Sequence, residues 1–252
     1  KRARFAPKSM SPIFLHGTFS YLLHTKVWRA QNLAPQGVNM TYLLSPDEVA
    51  AAYVELRTRV VALLREAGEG VADIPVPHCP AWTVKMVASH LLGLPEDSLG
   101  GIKPGDDLDA WTQAQVDRHR DDSLMSILDA WEAMGPTIDP ILPHFPVPMN
   151  SQFVFDACTH EHDIRAAIGK IGARDSQAVR AAAGFIRNSL SLLPQPEAQE
   201  LLRVTISDFD FLRSLSGRRS VEQIAERGLD TSAVQAIVAA SPLSIPSASI
   251  PE

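Results

Sequence analysis

The chain has 252 residues, 45% of them hydrophobic and 21% charged, which is enough for a sizeable core and ordinary for a globular protein. A formal net charge of −6 argues against nucleic acid as the main partner, and no apolar run approaches the ~18 residues that a membrane span needs. The two cysteines, Cys79 and Cys158, are too few for a disulfide framework and point to a reducing, cytoplasmic setting.

Residues 1–39 carry Lys1, Arg2, Arg4, Lys8, Lys26 and Arg29 and no acidic residue, so the remainder is markedly acidic. Three readings of this segment stand: an upstream stretch foreign to the domain, a native arm that binds a partner, or a targeting peptide. From Met40 the chain reads as a folded domain. Ser45-Pro46-Asp47-Glu48 is a helix start, with a capping serine, proline in the first turn and acids at the positive helix end. Val49, Tyr53, Leu56, Val60, Leu63 and Leu64 recur at helical spacing, and Gly68 ends the helix near residue 67.

The prolines of Ile74-Pro75-Val76-Pro77-His78-Cys79-Pro80 require extended chain. Thr83 then caps a second helix that carries His90 and is expected to end around Gly93. Residues 94–108 read as loop. Two shorter helices are expected at about 109–119 and 122–134, the second with Leu124, Ile127, Leu128 and Trp131 on one side. After a proline-rich connection, Asn150 or Ser151 opens a helix closed by Gly169, and Asp175-Ser176 opens another to about Leu193. These elements predict a mainly α fold, a bundle of four main helices (residues 40–193) with an insertion between the second and third. Residues 194–240 read as a small C-terminal module in which Leu201–Ile206 is either a short strand or a helix end. Residues 241–252, rich in Ser and Pro, read as an exposed tail.

The most informative stretch is Phe155-Asp156-Ala157-Cys158-Thr159-His160-Glu161-His162-Asp163-Ile164-Arg165. Four residues separate Asp156 from His160, so on a helix both side chains lie on one face and can grip one divalent cation. If the second helix faces this one, His90 supplies a third ligand, and a His₂–carboxylate set with an open position suits a catalytic metal such as zinc. Taken alone, the spacing is a weak metal signal and better suits an Asp156–His160 hydrogen bond on a solvated face, and His90 alone better suits a satisfied core position. His162 points about 200° away from His160, and Glu161 also faces away. Position 164 is Ile, so this is not the H-E-x-x-H of zinc proteases. Asp163 and Arg165 suit ion pairs to neighbouring helices. Cys158 reads as an inert buried thiol and Cys79 as structural.

Two of these stretches carry a family resemblance. His78-Cys79-Pro80-Ala81-Trp82-Thr83-Val84-Lys85-Met86-Val87-Ala88-Ser89-His90-Leu91 resembles the "C-P-x-W-T-V-x-D-L-x-x-H-L" signature of the mycothiol-dependent maleylpyruvate isomerase family. The run from Asp156 to Gly169 resembles its "[D/E]-x-x-x-H-x-x-D-x-R-x-A-x-G" signature. Phe211-Leu212-Arg213-Ser214-Leu215-Ser216-Gly217-Arg218-Arg219-Ser220 is similar to a C-terminal "L-x-R-x-x-x-G-R-R-S" box of its actinobacterial members. The resemblance covers about residues 44–228. It departs from the family at Asp156, where glutamate is common, and at Lys85-Met86, where Asp-Leu is usual.

The resemblance implies a DinB-like four-helix bundle with one divalent metal, zinc being the expected ion, on His90, Asp156 and His160. It also implies a C-terminal α/β module, for which the segment after Pro194 looks short, so a reduced or helical module is expected. The implied activity is that of a transferase or isomerase in which a metal-bound thiolate, from mycothiol as cosubstrate, attacks a small electrophile. Arg218 or Arg219 is then available to clamp a substrate carboxylate; surface ion pairing is the other reading of both. The alternatives are a non-catalytic metal- or thiol-binding module that interacts with a partner, and a metal-dependent hydrolase. The expected partners are small molecules, in a monomer or homodimer, with no nucleic acid and no membrane span.

Overall fold

The computed structural model describes residues 42–241 and 243–252; the basic segment 1–39 and its three readings lie outside them. Among the described residues the chain is mainly α, with one two-stranded antiparallel hairpin.

Helix α1 (Pro46–Ala67) begins at a capping box, in which Ser45 and Glu48 satisfy each other's backbone N–H groups, and ends at Gly68. The hairpin β1 (Pro75–Val76) and β2 (Cys79–Thr83) follows, and Thr83 caps α2 (Val84–Gly100). Helix α2 does not stop at Gly93 but runs through Pro95 to Gly100, and its stop signal is Gly101, in the left-handed conformation at φ +67°. Pro95 removes one helical donor, yet the added turns carry the buried Pro95 and Asp97. Gly93 has a packing role instead. A Cβ there would sit 2.5 Å from Gln115 Cβ, so its hydrogen is what lets α3 (Leu108–Arg118) approach α2 closely.

Helices α4 (Leu124–Ala133), α5 (Gly135–Ile138), α6 (Met149–Ala167) and α7 (Gln177–Ser191) complete the body. Four helices pack in a ring, with α4 between α1 and α2, and α6 closing the other side. Helix α7 lies outside the ring, against α6 and α1. The sequence reading put α7 in the bundle and α4 in an insertion. Helix α4 belongs to the ring because Leu124, Ile127, Leu128 and Trp131 are all fully buried, and Trp131 donates to the Tyr53 hydroxyl at 3.0 Å.

Past residue 194 the chain forms only short helices: α8 (Pro196–Leu201), α9 (Asp208–Leu215), α10 (Val221–Glu226) and α11 (Thr231–Ala239). Leu201–Ile206 is a helix end, not a strand. Helix α9 packs on α7, and α11 on α8 and α9. Residues 243–252, expected to be exposed, run back along the body. Leu243 is buried, Ile250 accepts from Gln223, and the Glu252 carboxylate reaches Arg213 and Arg219. Composition signalled a solvated tail; two buried guanidiniums needing a carboxylate decide otherwise.

Candidate metal centre

Helices α2 and α6 bring three residues from distant parts of the sequence to one place. The donor atoms of His90, Asp156 and His160 lie within 4.8 Å of one another. Both histidines are buried, while 18% of the Asp156 side chain is exposed, so the group faces solvent on the Asp156 side. The Trp82 ring, on β2, stands against both imidazoles, with centroids 5.2 Å from His90 and 6.0 Å from His160. Its place as a wall of the site follows from the hairpin, which spacing along the chain does not report.

Hydrogen bonds set which ring nitrogen each histidine offers. The Asp97 carboxylate only accepts, so the Gln115 amide donates its NH₂ to it at 2.7 Å and turns its oxygen to His90. That oxygen lies 2.7 Å from His90 Nδ1, which must therefore carry a hydrogen. His90 Nε2 is then 3.0 Å from Asp156 Oδ2. His160 repeats the pattern: its Nδ1 is 3.2 Å from Asp163 Oδ2, which leaves Nε2 for the His90–Asp156 pair. A carboxylate or amide behind each ligating imidazole is the usual support for a metal-bound histidine.

The electrostatics demand a positive charge here. A neutral His90 with its hydrogen on Nδ1 would point the Nε2 lone pair at the Asp156 carboxylate. Burial works against an imidazolium at His90, but the Asp156 charge and the hydrogen bonds to Asp156 and Gln115 outweigh it and raise its pKa above the ordinary 6.5. For Asp156, burial opposes the charge, while His90, His160 and Arg218 lower its pKa. At His160 burial dominates and lowers the pKa despite both nearby carboxylates. A proton on His90 Nε2 would stand where a coordinated cation would stand, and the donor set fits a divalent ion.

A second group, Cys79, His160 and Asp163, also has its donor atoms within 4.8 Å. Sequence reasoning assigned Cys79 to structure alone, yet its Sγ is 3.4 Å from Asp163 Oδ2 and 3.8 Å from His160 Nδ1. Asp163 is already bound by two guanidiniums, Arg213 Nη1 at 2.7 Å and Arg218 Nη2 at 3.1 Å, and burial with the Asp163 charge keeps the Cys79 thiol protonated. A cation placed there would meet two fixed positive charges, so the first group is the better centre.

The other candidates fall as follows. Arg218 lies beside Asp163 and retains a buried Nε without a partner among the described residues. Arg219 turns away to Asp210 and Glu252 at 2.6 Å and 2.7 Å, so it does not approach the centre. Its sequence neighbourhood, two adjacent arginines, could not say which one faces inward. His162 faces away against Phe209, and Glu161 binds Arg59 on α1 and Arg165.

A helical bundle with a His₂–carboxylate group between two of its helices is a candidate metal-binding protein by geometry alone. Residues 53–146 match the family model of the mycothiol maleylpyruvate isomerase N-terminal domain, the same family that the signatures of this chain resemble. The match takes in most of α1, the hairpin, α2 with His90, and α3 to α5; it ends before Asp156 and His160. No curated protein and no solved structure matches the chain.

Proposed function

We propose that the chain is a metal-dependent, thiol-dependent transferase or isomerase that acts on a small electrophile, with mycothiol as the thiol and zinc as the ion held by His90, Asp156 and His160. The observation that carries this reading is the pair of imidazoles fixed with hydrogen on Nδ1, by Gln115 and Asp163, so that both can present Nε2 beside the Asp156 carboxylate. The family's N-terminal domain supports the thiol. When bound, the ion would favour deprotonation of a coordinating thiol, whose free pKa of ~8.5 leaves it mostly protonated at neutral pH.

The chain's own residues supply the rest. Trp82 and the buried wall of α2 exclude water from one side, and exposure at Asp156 leaves the other side open to thiol and electrophile. Arg218 is the arginine of the two that can still meet an anionic part of the substrate, through its unpartnered Nε. Two free, buried thiols suit a reducing cytoplasm, and no helix among the described residues is long and apolar enough to cross a membrane.

The test is metal content and thiol chemistry together. The purified protein is expected to hold close to one divalent ion per chain and to consume maleylpyruvate or a chlorinated aromatic only when the thiol is present. The His160→Ala variant should lose both. Equal metal content in wild type and variant would reject the site; metal without thiol-dependent turnover would reject the enzyme and leave a binding module.

A further inference from the structure

We propose a second binding site, for a small oxyanion, in a shallow, solvent-open cleft lined by His162, Arg165, Arg174, Phe209, Arg213 and Glu252. The cleft lies on the face of α6 turned away from His160, since His162 is about 200° around the helix. It is independent of the metal reading.

Three observations carry it. First, two buried polar groups that line the cleft have no partner among the described residues: Arg213 Nη2 and His162 Nε2. Arg213 is fully buried and His162 is 5% exposed. A buried guanidinium N–H left unpaired is costly, and an oxyanion is its natural acceptor. Second, the cleft has positive charge to spare. Arg165 shares the one carboxylate of Glu161 with Arg59. Arg174 makes no ion pair among the described residues and stacks on Phe209 at 4.6 Å, which holds its guanidinium at the cleft. Arg213 and Arg219 share Asp163, Asp210 and Glu252 with Arg218 and Arg227, so none of these carboxylates compensates Arg165 or Arg174. Third, Glu252, the carboxylate in the lining, already gives its oxygens to Arg213 Nε and Arg219, so it leaves Arg213 Nη2 free for a second acceptor.

The planar guanidinium donors fit a carboxylate or phosphate group. Inorganic phosphate and acetate are the probes, titrated calorimetrically into the full chain at constant ionic strength, with chloride as the control. Saturable binding of phosphate, acetate or both is expected, and which one binds identifies the head group. Arg174→Gln should weaken it at least ten-fold and Arg174→Lys much less. Metal content should stay unchanged in both. The His162 imidazole ¹H–¹⁵N signal should shift on titration, which locates the anion even if a variant folds poorly. No binding, equal binding by Arg174→Gln, an unmoved His162 signal, or the same response to chloride — an adventitious ion only — would overturn the proposal.

Discussion

Replacing Gln115 by leucine tests the metal centre without touching a ligand. Gln115 is fully buried, and its 2.7 Å contact with His90 Nδ1 fixes the hydrogen on that atom. In the cation-free variant His90 has a way out. Its hydrogen can move to Nε2, where Asp156 accepts it at the 3.0 Å separation already present. A metal-bound His90 has no such choice: Nε2 is occupied, so Nδ1–H must face the leucine methyls in a dry core. An unpaired buried donor costs about 1–3 kcal/mol, and nearly all of that falls on the bound form. The expected loss of zinc affinity is therefore roughly 10–100-fold, the range for mutations behind a ligating histidine. Asp97 keeps its ion pair with Arg118, at 2.6 Å, so the helix contact should survive. Competition between the apo-protein and a chromophoric zinc chelator reads the affinity, and circular dichroism checks the fold. An unchanged affinity in a folded variant would show that the tautomer of His90 has no part in binding a cation.

Asp163→Asn should be costly to the fold, because it takes the anion from two buried guanidiniums at once. A loss of about 3–5 kcal/mol is expected in urea unfolding, and a loss under 1 kcal/mol would mean that Arg213 and Arg218 find other partners. Metal affinity should depend on pH through His90. Its raised pKa makes the proton a competitor for the cation, so affinity should rise with pH by about tenfold per unit until that pKa is passed. The same group stabilises the cation-free fold below its unfolded pKa near 6.5 and ceases to do so as pH rises through the higher folded value. A flat affinity profile between pH 5 and 8 would refute this account. At Glu252, burial opposes the charge but Arg213 and Arg219 lower its pKa below 4.5, so its contribution is present above that value and is lost as pH falls through the folded pKa. Thermal melts of Glu252→Gln against wild type should differ at neutral pH and converge in acid; curves that stay parallel would show that the 243–252 segment owes nothing to this carboxylate.

The local elements were legible because each has a local cause. Ser45 with Glu48, Thr83 and Ser176 accept from the first-turn N–H groups of the helices they precede, whatever the rest of the molecule does. The juxtaposition of His90, Asp156 and His160 was legible only in part. Helical spacing puts two of them on one face, but that α2 faces α6 is a tertiary fact. The failures are of the same kind. Gly93 and Pro95 look like a helix stop in isolation, and they sit inside α2 because the glycine's missing side chain admits Gln115. Helix α4 looked like an insertion because ten residues are few; its burial, which spacing cannot report, puts it in the ring. Gln115 carried no signal at all, since it does not stand at ligand spacing from a residue of the centre.

The residues past 194 bear on the centre through one carboxylate. Asp163 gives Oδ1 to Arg213 and divides Oδ2 between Arg218 and His160. A carboxylate that also neutralises two cations is a weaker acceptor for His160 Nδ1–H than a free one, so the basicity of His160 Nε2 is set partly by how firmly the arginines hold Asp163. Those arginines are held in turn: Arg213 by Glu252 at 2.7 Å, and Arg218 by the Ser216 carbonyl at 2.8 Å. The L-x-R-x-x-x-G-R-R-S stretch thus acts on the centre without contributing a ligand. Its first arginine anchors Asp163, its second is shared between Asp163 and the Ser216 carbonyl, and its third, Arg219, fixes Glu252 against the first. A short helical segment is sufficient for this arrangement, because what His160 requires from it is one correctly placed carboxylate partner and not a sheet.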